Sequence, residues 1–339
     1  MVSIRDIARE CGVAVSTVSK ALNGQADVSQ ETREKVCAAA ERMGYMANSA
    51  ARALKTNRSY NLGVLFADES NCGLTHEYFA HVLESVKAEA EARGYDITFI
   101  NGNVGDKPTS YLQHCRYRGV DGVVIACVDF RDPRVQELVD DRIPVVTIDY
   151  IFNDRLAVVS DNVSGMEQLV RYIYSRGHRR IAYLHGQDNP VTRSRLTGFY
   201  RACEALDLHI PPQYIVPSTY YTPERCRIDT RRLLQLDPRP TCIIFPDDFS
   251  YMGAMDALAE AGLRVPEDIS VAGYDGISLA RVLHLTTYSQ DTRILGQTAA
   301  RQLISLIERP KTTVTDRILV RGHLVEGSTV RDISKEPNH

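Results

Sequence analysis

Tryptophan is absent from the 339 residues, and no stretch is long and apolar enough to span a membrane as a helix. The first lack excludes nothing. The second excludes a transmembrane helix. The opening MVSIRDIARE is charged and has no apolar signal core, so the chain is expected to stay in the cytoplasm. Paired cysteines are missing too. The eight cysteines are scattered with no C-x-x-C spacing, which argues against a disulfide framework or a zinc site and for buried free thiols. Catalytic signatures are also lacking: there is no G-x-S-x-G elbow, no P-loop and no G-x-G-x-x-G following a strand. His76 and His81 flank Glu77 but stand five apart, so their rings diverge where a zinc helix needs i, i+4. Asp247 and Asp248 are neighbours at a strand end and need not face each other as an acid/base pair. No enzymatic activity, cofactor or metal is expected. Positive charge is also short, at a net −3, but unevenly so. Residues 1–58 carry nine Lys and Arg against six Asp and Glu, which leaves the remainder acidic. A basic head on an acidic body suits a protein that meets nucleic acid with the head alone.

What is present begins at residues 4–23, IRDIARECGVAVSTVSKALN. Apolar Ile4, Ile7, Ala8 and Cys11 share one helical face, and Val15, Val18, Ala21 and Leu22 share another beyond a turn at Gly12. Two such short helices bury little, and a third at 30–43, with Val36, Ala39, Ala40 and Met43, closes the core. This is a helix-turn-helix whose second helix fits a DNA major groove. Ser3 and Ser29 are placed as N-caps, and Gly44 as a left-handed C-cap. Residues 49–55 are helix-forming but too few to hold a helix unaided.

From residue 61 strand-like and helical runs alternate: strands at 62–66, 96–100, 122–126 and 144–148 with helices at 76–93, 110–118 and 133–141 between them. A second series follows, with strands at 181–184, 242–245 and 269–273 and helices at 165–176, 194–206, 224–236 and 250–261. Two doubly wound parallel-sheet α/β lobes imply a ligand cleft between them, at the strands' carboxyl ends. A strand near Tyr288, a helix at 294–307 and a run at 318–324 cross back to complete both lobes. The expected domains are 1–46 (all-α head), 47–59 (hinge), 60–160 with 291–318 (first lobe), 161–290 with 319–330 (second lobe) and a tail at 331–339, the chain after Glu326 reading as polar and mobile.

IRDIARECGVAVSTVSKALNG, VSQETREKV, GYMANSAARALK, GHRRIAYLHG, SRLTGF, PDDFSYMGAMDALAEAGLRVPEDISVAGYDG and TTYSQDTRILGQTA together resemble the lactose-repressor (LacI/GalR-type) family of bacterial transcription regulators over nearly the whole length. The resemblance implies a periplasmic-binding-protein-like core, a homodimer or tetramer, a near-palindromic double-stranded operator, and a small effector in the cleft. It implies that Val15, Ser16 and Lys20 read bases while Thr17, Ser19, Asn23, Ser29 and Thr32 position phosphates. It also implies a hinge helix in the minor groove, with Leu54 as the wedge beside Ala51 and Arg52. Taken alone, Ser16 and Lys20 would read as a solvated helix face. Three positions depart from the family pattern: Ala14 where a Ser N-cap is usual, Ala47 where Pro is usual, and Ala50 where a larger Val is common. They predict a hinge more dependent on DNA and on the core dimer than is typical.

By the same resemblance Asp149, Arg195, Tyr221, Asp247, Asp275 and Gln290 hold the effector. An Arg fork and carboxylates suit a sugar's vicinal hydroxyls, with Tyr221 stacking on the ring. Alone, Asp149 reads as half of an ion pair, and Asp161 as a helix cap. The loop at 68–79, with Ser70, His76 and Tyr78, is expected to complete the wall. The expectation is therefore a repressor controlled by a sugar. The competing readings, a sugar-binding receptor or a sugar-processing enzyme, leave the head unexplained.

Overall fold

The computed structural model describes residues 2–22, 24–45, 58–67 and 72–335. Asn23, Ala47, Ala50, Ala51, Arg52, Leu54 and Ser70 lie outside the described residues. The chain divides into two compact units, Met1–Tyr60 and Asn61–His339.

In the head, α1 (Ile4–Cys11) starts on a reciprocal capping box. The Asp6 carboxylate accepts the Ser3 amide at 2.9 Å, and the Ser3 hydroxyl accepts the Asp6 amide at 3.4 Å. Gly12 ends α1 at φ +68°, a conformation that costs glycine least. Then come α2 (Val15–Leu22) and α3 (Gln30–Arg42). Ile7, Cys11, Val18, Ala21, Val36 and Ala39 are buried together. Val15 departs from the apolar pattern: it is 42% exposed, on the first residue of α2.

In the second unit the first lobe runs β1 (Asn61–Phe66), α4 (Glu77–Ala92), β2 (Asp96–Ile100), a small hairpin of β3 (Asn103–Val104) and β4 (Lys107–Pro108), α5 (Tyr111–Arg118), β5 (Gly122–Ala126), α6 (Pro133–Asp140), β6 (Val145–Ile148) and β7 (Leu156–Ser160). The second lobe runs α7 (Asn162–Ser175), β8 (Ile181–His185), α8 (Pro190–Ala205), β9 (Ile215–Pro217), α9 (Pro223–Leu234), β10 (Cys242–Ile244), α10 (Tyr251–Glu260), β11 (Ser270–Asp275), α11 (Ser278–Val282) and β12 (Thr286–Ser289). Last come α12 (Thr292–Glu308), β13 (Arg317–Val320) and β14 (His323–Val325). The first sheet is ordered β13-β7-β6-β5-β1-β2, all parallel, and the second β14-β12-β11-β10-β8-β9, parallel except for β14. Every residue of β5 is buried, as a strand covered by helices on both faces must be. Among the described residues no helix is long and apolar enough to cross a membrane.

Several elements differ from the periodicity reading. β7, β9 and α11 were not anticipated, being short or set among polar turns. α7 and α8 begin three and four residues earlier than expected, because Asp161 caps the Ser164 amide at 3.2 Å and Asn189 caps the Thr192 amide at 2.8 Å. Gly165, expected as a helix start, lies inside α7, where a Cβ would sit 2.4 Å from the Tyr274 hydroxyl. The run at 318–324 is two strands in two sheets, so Leu319 and Val320 belong to the first lobe. The chain passes between lobes at 161, at 290–291 and at 321–322, and α12 returns to pack on α4.

The polar chain after Glu326 is not loose through residue 334. Thr329 and Val330 are buried. The Thr329 carbonyl accepts the Val271 amide at 2.9 Å, and its hydroxyl donates to the Val271 carbonyl at 2.8 Å. A Cβ on Gly177 would lie 2.5 Å from the Ser334 nitrogen, so that glycine is a notch for the tail. Composition predicted solvation here, whereas backbone pairing with β11 decides the outcome.

Candidate functional site

On the head, α2 turns Val15, Ser16 and Lys20 outward, with Thr17 and Ser19 half-buried. Lys20 is paired with Asp27, and this contact holds the Asp27 carboxyl below its ordinary value. Ser29 caps α3 by accepting the Thr32 amide at 3.2 Å, and its hydroxyl donates to that of Thr32 at 2.8 Å. Ala14 is exposed and offers no side-chain oxygen to α2.

In the second unit, Asp149, Arg195, Tyr221, Asp247, Asp275 and Gln290 line one cavity of about 180 Å³ between the lobes. Its floor is Arg195, 3% exposed. Arg195 Nε donates to Asn162 Oδ1 at 2.9 Å, Nη1 to the Pro246 carbonyl at 2.8 Å and Nη2 to Asp275 Oδ1 at 3.2 Å. Its guanidinium lies 3.7 Å from the centre of the Tyr274 ring. Gln290 Nε2 donates to the same Asp275 oxygen at 2.7 Å. Both side-chain contacts to Asp275 fall on Oδ1, and the buried Oε1 of Gln290 has no partner among the described residues. Burial pushes the Asp275 carboxyl up to about 7; Arg195 opposes the rise and Asp247 adds to it.

The other carboxylates are already committed. Asp247 accepts the Ser250 amide at 2.7 Å, the Ser250 hydroxyl at 2.8 Å and the Tyr221 amide at 2.8 Å. Asp149 accepts the Ser160 amide at 2.7 Å and, more loosely, the hydroxyls of Ser160 and Tyr78. Asp248, just outside the cavity, fixes the turn after β11 by accepting the Gly276 and Ile277 amides at 2.6 and 3.0 Å. Burial drives its carboxyl well above the ordinary value.

Tyr221 corrects the sequence reading. Its ring is stacked on His76 at 3.8 Å and on Phe249 at 4.0 Å, so neither face is open to a ligand. Its hydroxyl accepts the Glu77 amide at 3.3 Å and donates to the Thr75 carbonyl at 3.4 Å, on the opposite lobe. Beside it the Ser278 amide donates to Glu77 Oε1 at 2.6 Å. Tyr221 is part of a clasp across the cleft mouth. The aromatic wall comes instead from Tyr220, Phe130 and Tyr150, which the sequence reading missed. Phe130 and Tyr150 stack at 4.1 Å, and the Tyr220 hydroxyl lies 2.8 Å from that of Thr192. Gly186 makes room for Tyr220: a Cβ there would meet its ring at 2.0 Å. That glycine, ending GHRRIAYLHG, was the available signal. His76 and Tyr78 also line the cavity.

Cys127, Asp149, Tyr221 and Asp275 all line this cavity with positive φ, +51°, +56°, +55° and +106°. Each such non-glycine conformation costs on the order of 1–3 kcal/mol, and such strain concentrates at ligand sites.

A helix-turn-helix head carried on a two-lobed core with a polar, strained cleft defines a ligand-responsive DNA-binding regulator. Residues 3–48 match the description "Bacterial regulatory proteins, lacI family", and residues 170–330 match "Periplasmic binding protein-like domain". The HTH-type transcriptional repressors PurR of Salmonella paratyphi B and Salmonella newport are each 34% identical, over 98% of this chain and 98% of theirs. The lac repressor dimer bound to operator and the anti-inducer ONPF is 26% identical with a TM-score of 0.79, covering 97% of this chain and 99% of that one. The complex of the transcriptional regulator CelR with cellobiose is 26% identical with a TM-score of 0.70, covering 97% and 100%. This chain belongs to the LacI family of bacterial regulatory proteins.

Proposed function

We propose that the protein is a transcriptional repressor that grips a near-palindromic operator as a homodimer and is switched by a small neutral molecule in the cleft. The observation that carries this is the Arg195–Asp275–Gln290 cluster, with its unpartnered acceptor at Gln290 Oε1, on a chain whose head is a helix-turn-helix. An effector preferring one lobe arrangement shifts the population able to bind DNA, typically with about 1–3 kcal/mol of coupling. Val15, Ser16 and Lys20 would read bases; on DNA, Lys20 would exchange Asp27 for a base or phosphate. The engagement of Asp149 and Asp247 by the protein, with no catalytic arrangement among the described residues, favours binding over turnover.

The cavity is smaller than drug-sized sites of roughly 300–1,000 Å³, which points to one ring. With Asp149 and Asp247 engaged by the protein, Gln290 Oε1 and Asp275 Oδ2 are acceptors left to a ligand, beside aromatic walls and the side-chain amides of Gln187 and Asn189. A planar heterocycle with a donor edge fits this better than a sugar, which needs partners for many hydroxyls. A monosaccharide is the second reading, supported by the Arg–carboxylate floor. A thermal-shift screen of monosaccharides and nucleobases against the full-length protein separates them, because only a ligand of the folded state raises its melting temperature. Stabilisation by heterocycles that disappears in Gln290→Leu supports the first, and stabilisation by sugars alone overturns it. A mobility-shift assay on DNA upstream of the gene tests the regulator itself. Equal affinity for a palindromic site and for random DNA would overturn it.

A further inference from the structure

Lys20 is the one charged residue of α2, and its ammonium meets the carboxylate of Asp27, in the turn before α3. That turn is built to hold the carboxylate in place. The Gly24 and Gln25 amides donate to the Ala21 and Lys20 carbonyls at 3.1 and 3.0 Å, so the chain folds back over the end of α2. The Gln25 carbonyl accepts Arg33 Nη2 of α3 at 2.8 Å, and Val28 is buried in the core of the head. None of these anchors uses the Asp27 side chain, so its carboxylate is free to serve Lys20. Both side chains face solvent, and Asp27 stands two residues before Ser29, the cap of α3.

We propose that Asp27 sets how specifically the head binds DNA, by holding Lys20 back from phosphates. The inference rests on Lys20 reading a base, as proposed above. An exposed ion pair adds little to stability, so its weight falls on what Lys20 can do next. An ammonium has three N–H donors, and the carboxylate occupies one. The other two can address O6 and N7 of a guanine with the pair intact. A phosphate asks for more. To meet it as a full cation Lys20 leaves Asp27, which trades one anion for another and sets a bare carboxylate beside the DNA backbone. Random DNA offers phosphates everywhere and so gains little from Lys20, while a site with a well-placed guanine gains more. Residues 1–58 hold nine Lys and Arg against six Asp and Glu, so one lysine withheld per head is a large part of the surplus.

The test is a salt titration of DNA binding by the full-length protein, on a random-sequence duplex and on DNA upstream of the gene. It compares wild type with Asp27→Asn, Asp27→Glu, Lys20→Ala and the double variant. On the random duplex Asp27→Asn should bind several-fold more tightly at low salt, with a log–log salt slope steeper by about 0.9 per head, the signature of one added phosphate contact. Its preference for the upstream DNA over the random duplex should fall. The gain should vanish in the double variant, and Lys20→Ala alone should leave the slope on random DNA as in wild type. Asp27→Glu, which restores the carboxylate, should return toward wild type. A slope unchanged in Asp27→Asn overturns the inference. So does a gain that survives Lys20→Ala, because it would be plain loss of negative charge. Lys20→Ala with an unaltered preference for the upstream DNA counts against base reading instead, whatever the slopes on random DNA.

Discussion

Arg195 carries more of the core than its position in a ligand site suggests. It satisfies Asn162, the Pro246 carbonyl and Asp275 at once, from behind a 3% exposed surface. Removing one partner of a buried ion pair leaves the other charge uncompensated, so Arg195→Ala should cost about 3–5 kcal/mol in urea unfolding as well as ligand binding. A variant of unchanged stability would mean the pair is not buried in solution. Two titrations give opposite slopes. Burial pushes His178, held between Thr241 and the Arg331 carbonyl, down to about 4 from 6.5. The unfolded chain then binds more protons, and this contribution is complete above pH 6.5 and lost as pH falls toward 4. Asp275 rises from 3.8 to about 7, so the folded chain binds more protons and stability falls as pH climbs through that window. Wild type should therefore lose ground to Asp275→Asn between pH 4 and 7, and gain on His178→Asn between pH 4 and 6.5, by about 3 kcal/mol each. Urea midpoints at pH 4.5 and 7.5 read both signs, and parallel profiles would remove the assignment. The six residues proposed for the effector all line one cavity because strand ends and helix starts bring them there. Sequence reasoning misread Tyr221 because residue type does not say which ring face a neighbour will cover, and it passed over Tyr220 beside it.

At the scale of the element, helix α2 lacks a cap where α1 and α3 each have a serine. Ala14→Ser supplies an oxygen for the first-turn amides and should stabilise the head by about 0.5–2 kcal/mol. Slower hydrogen exchange of the α2 amides would show it, and unchanged exchange would mean the turn geometry keeps the new hydroxyl away. Elements with a strong period, such as α4 and β5, were legible from the sequence. Those decided by tertiary pairing were not. LAVVS becomes β7 only because β6 and β13 flank it, and the polar tail is ordered only because Val271 and Ser270 offer it partners. Short segments take their state from neighbours more than from their own propensity.

For the molecule as a whole, the two lobes are joined by the crossings at 161, 290–291 and 321–322 and clasped at the far edge by Tyr221 on Thr75 and Glu77 and by Glu77 on Ser278. The clasp shares the turn that follows Asp275, so ligand contact and lobe closure act on one segment. Glu77→Ala should shift the core toward open lobes, seen as a larger radius of gyration in solution scattering, while Glu77→Gln, which keeps the acceptor, should resemble wild type. Identical scattering from all three would deny the clasp control of closure. The docked tail also sets an order of manufacture. The head is complete once residue 45 has emerged, but the first lobe waits for β13 and the second for Thr329 and Val330. At about 5–20 residues per second, the ribosome holds a folded helix-turn-helix beside unfinished lobes for roughly 15–60 s. For that interval the nascent chain has a DNA-reading head without its sensor, while it is still tethered as a single copy.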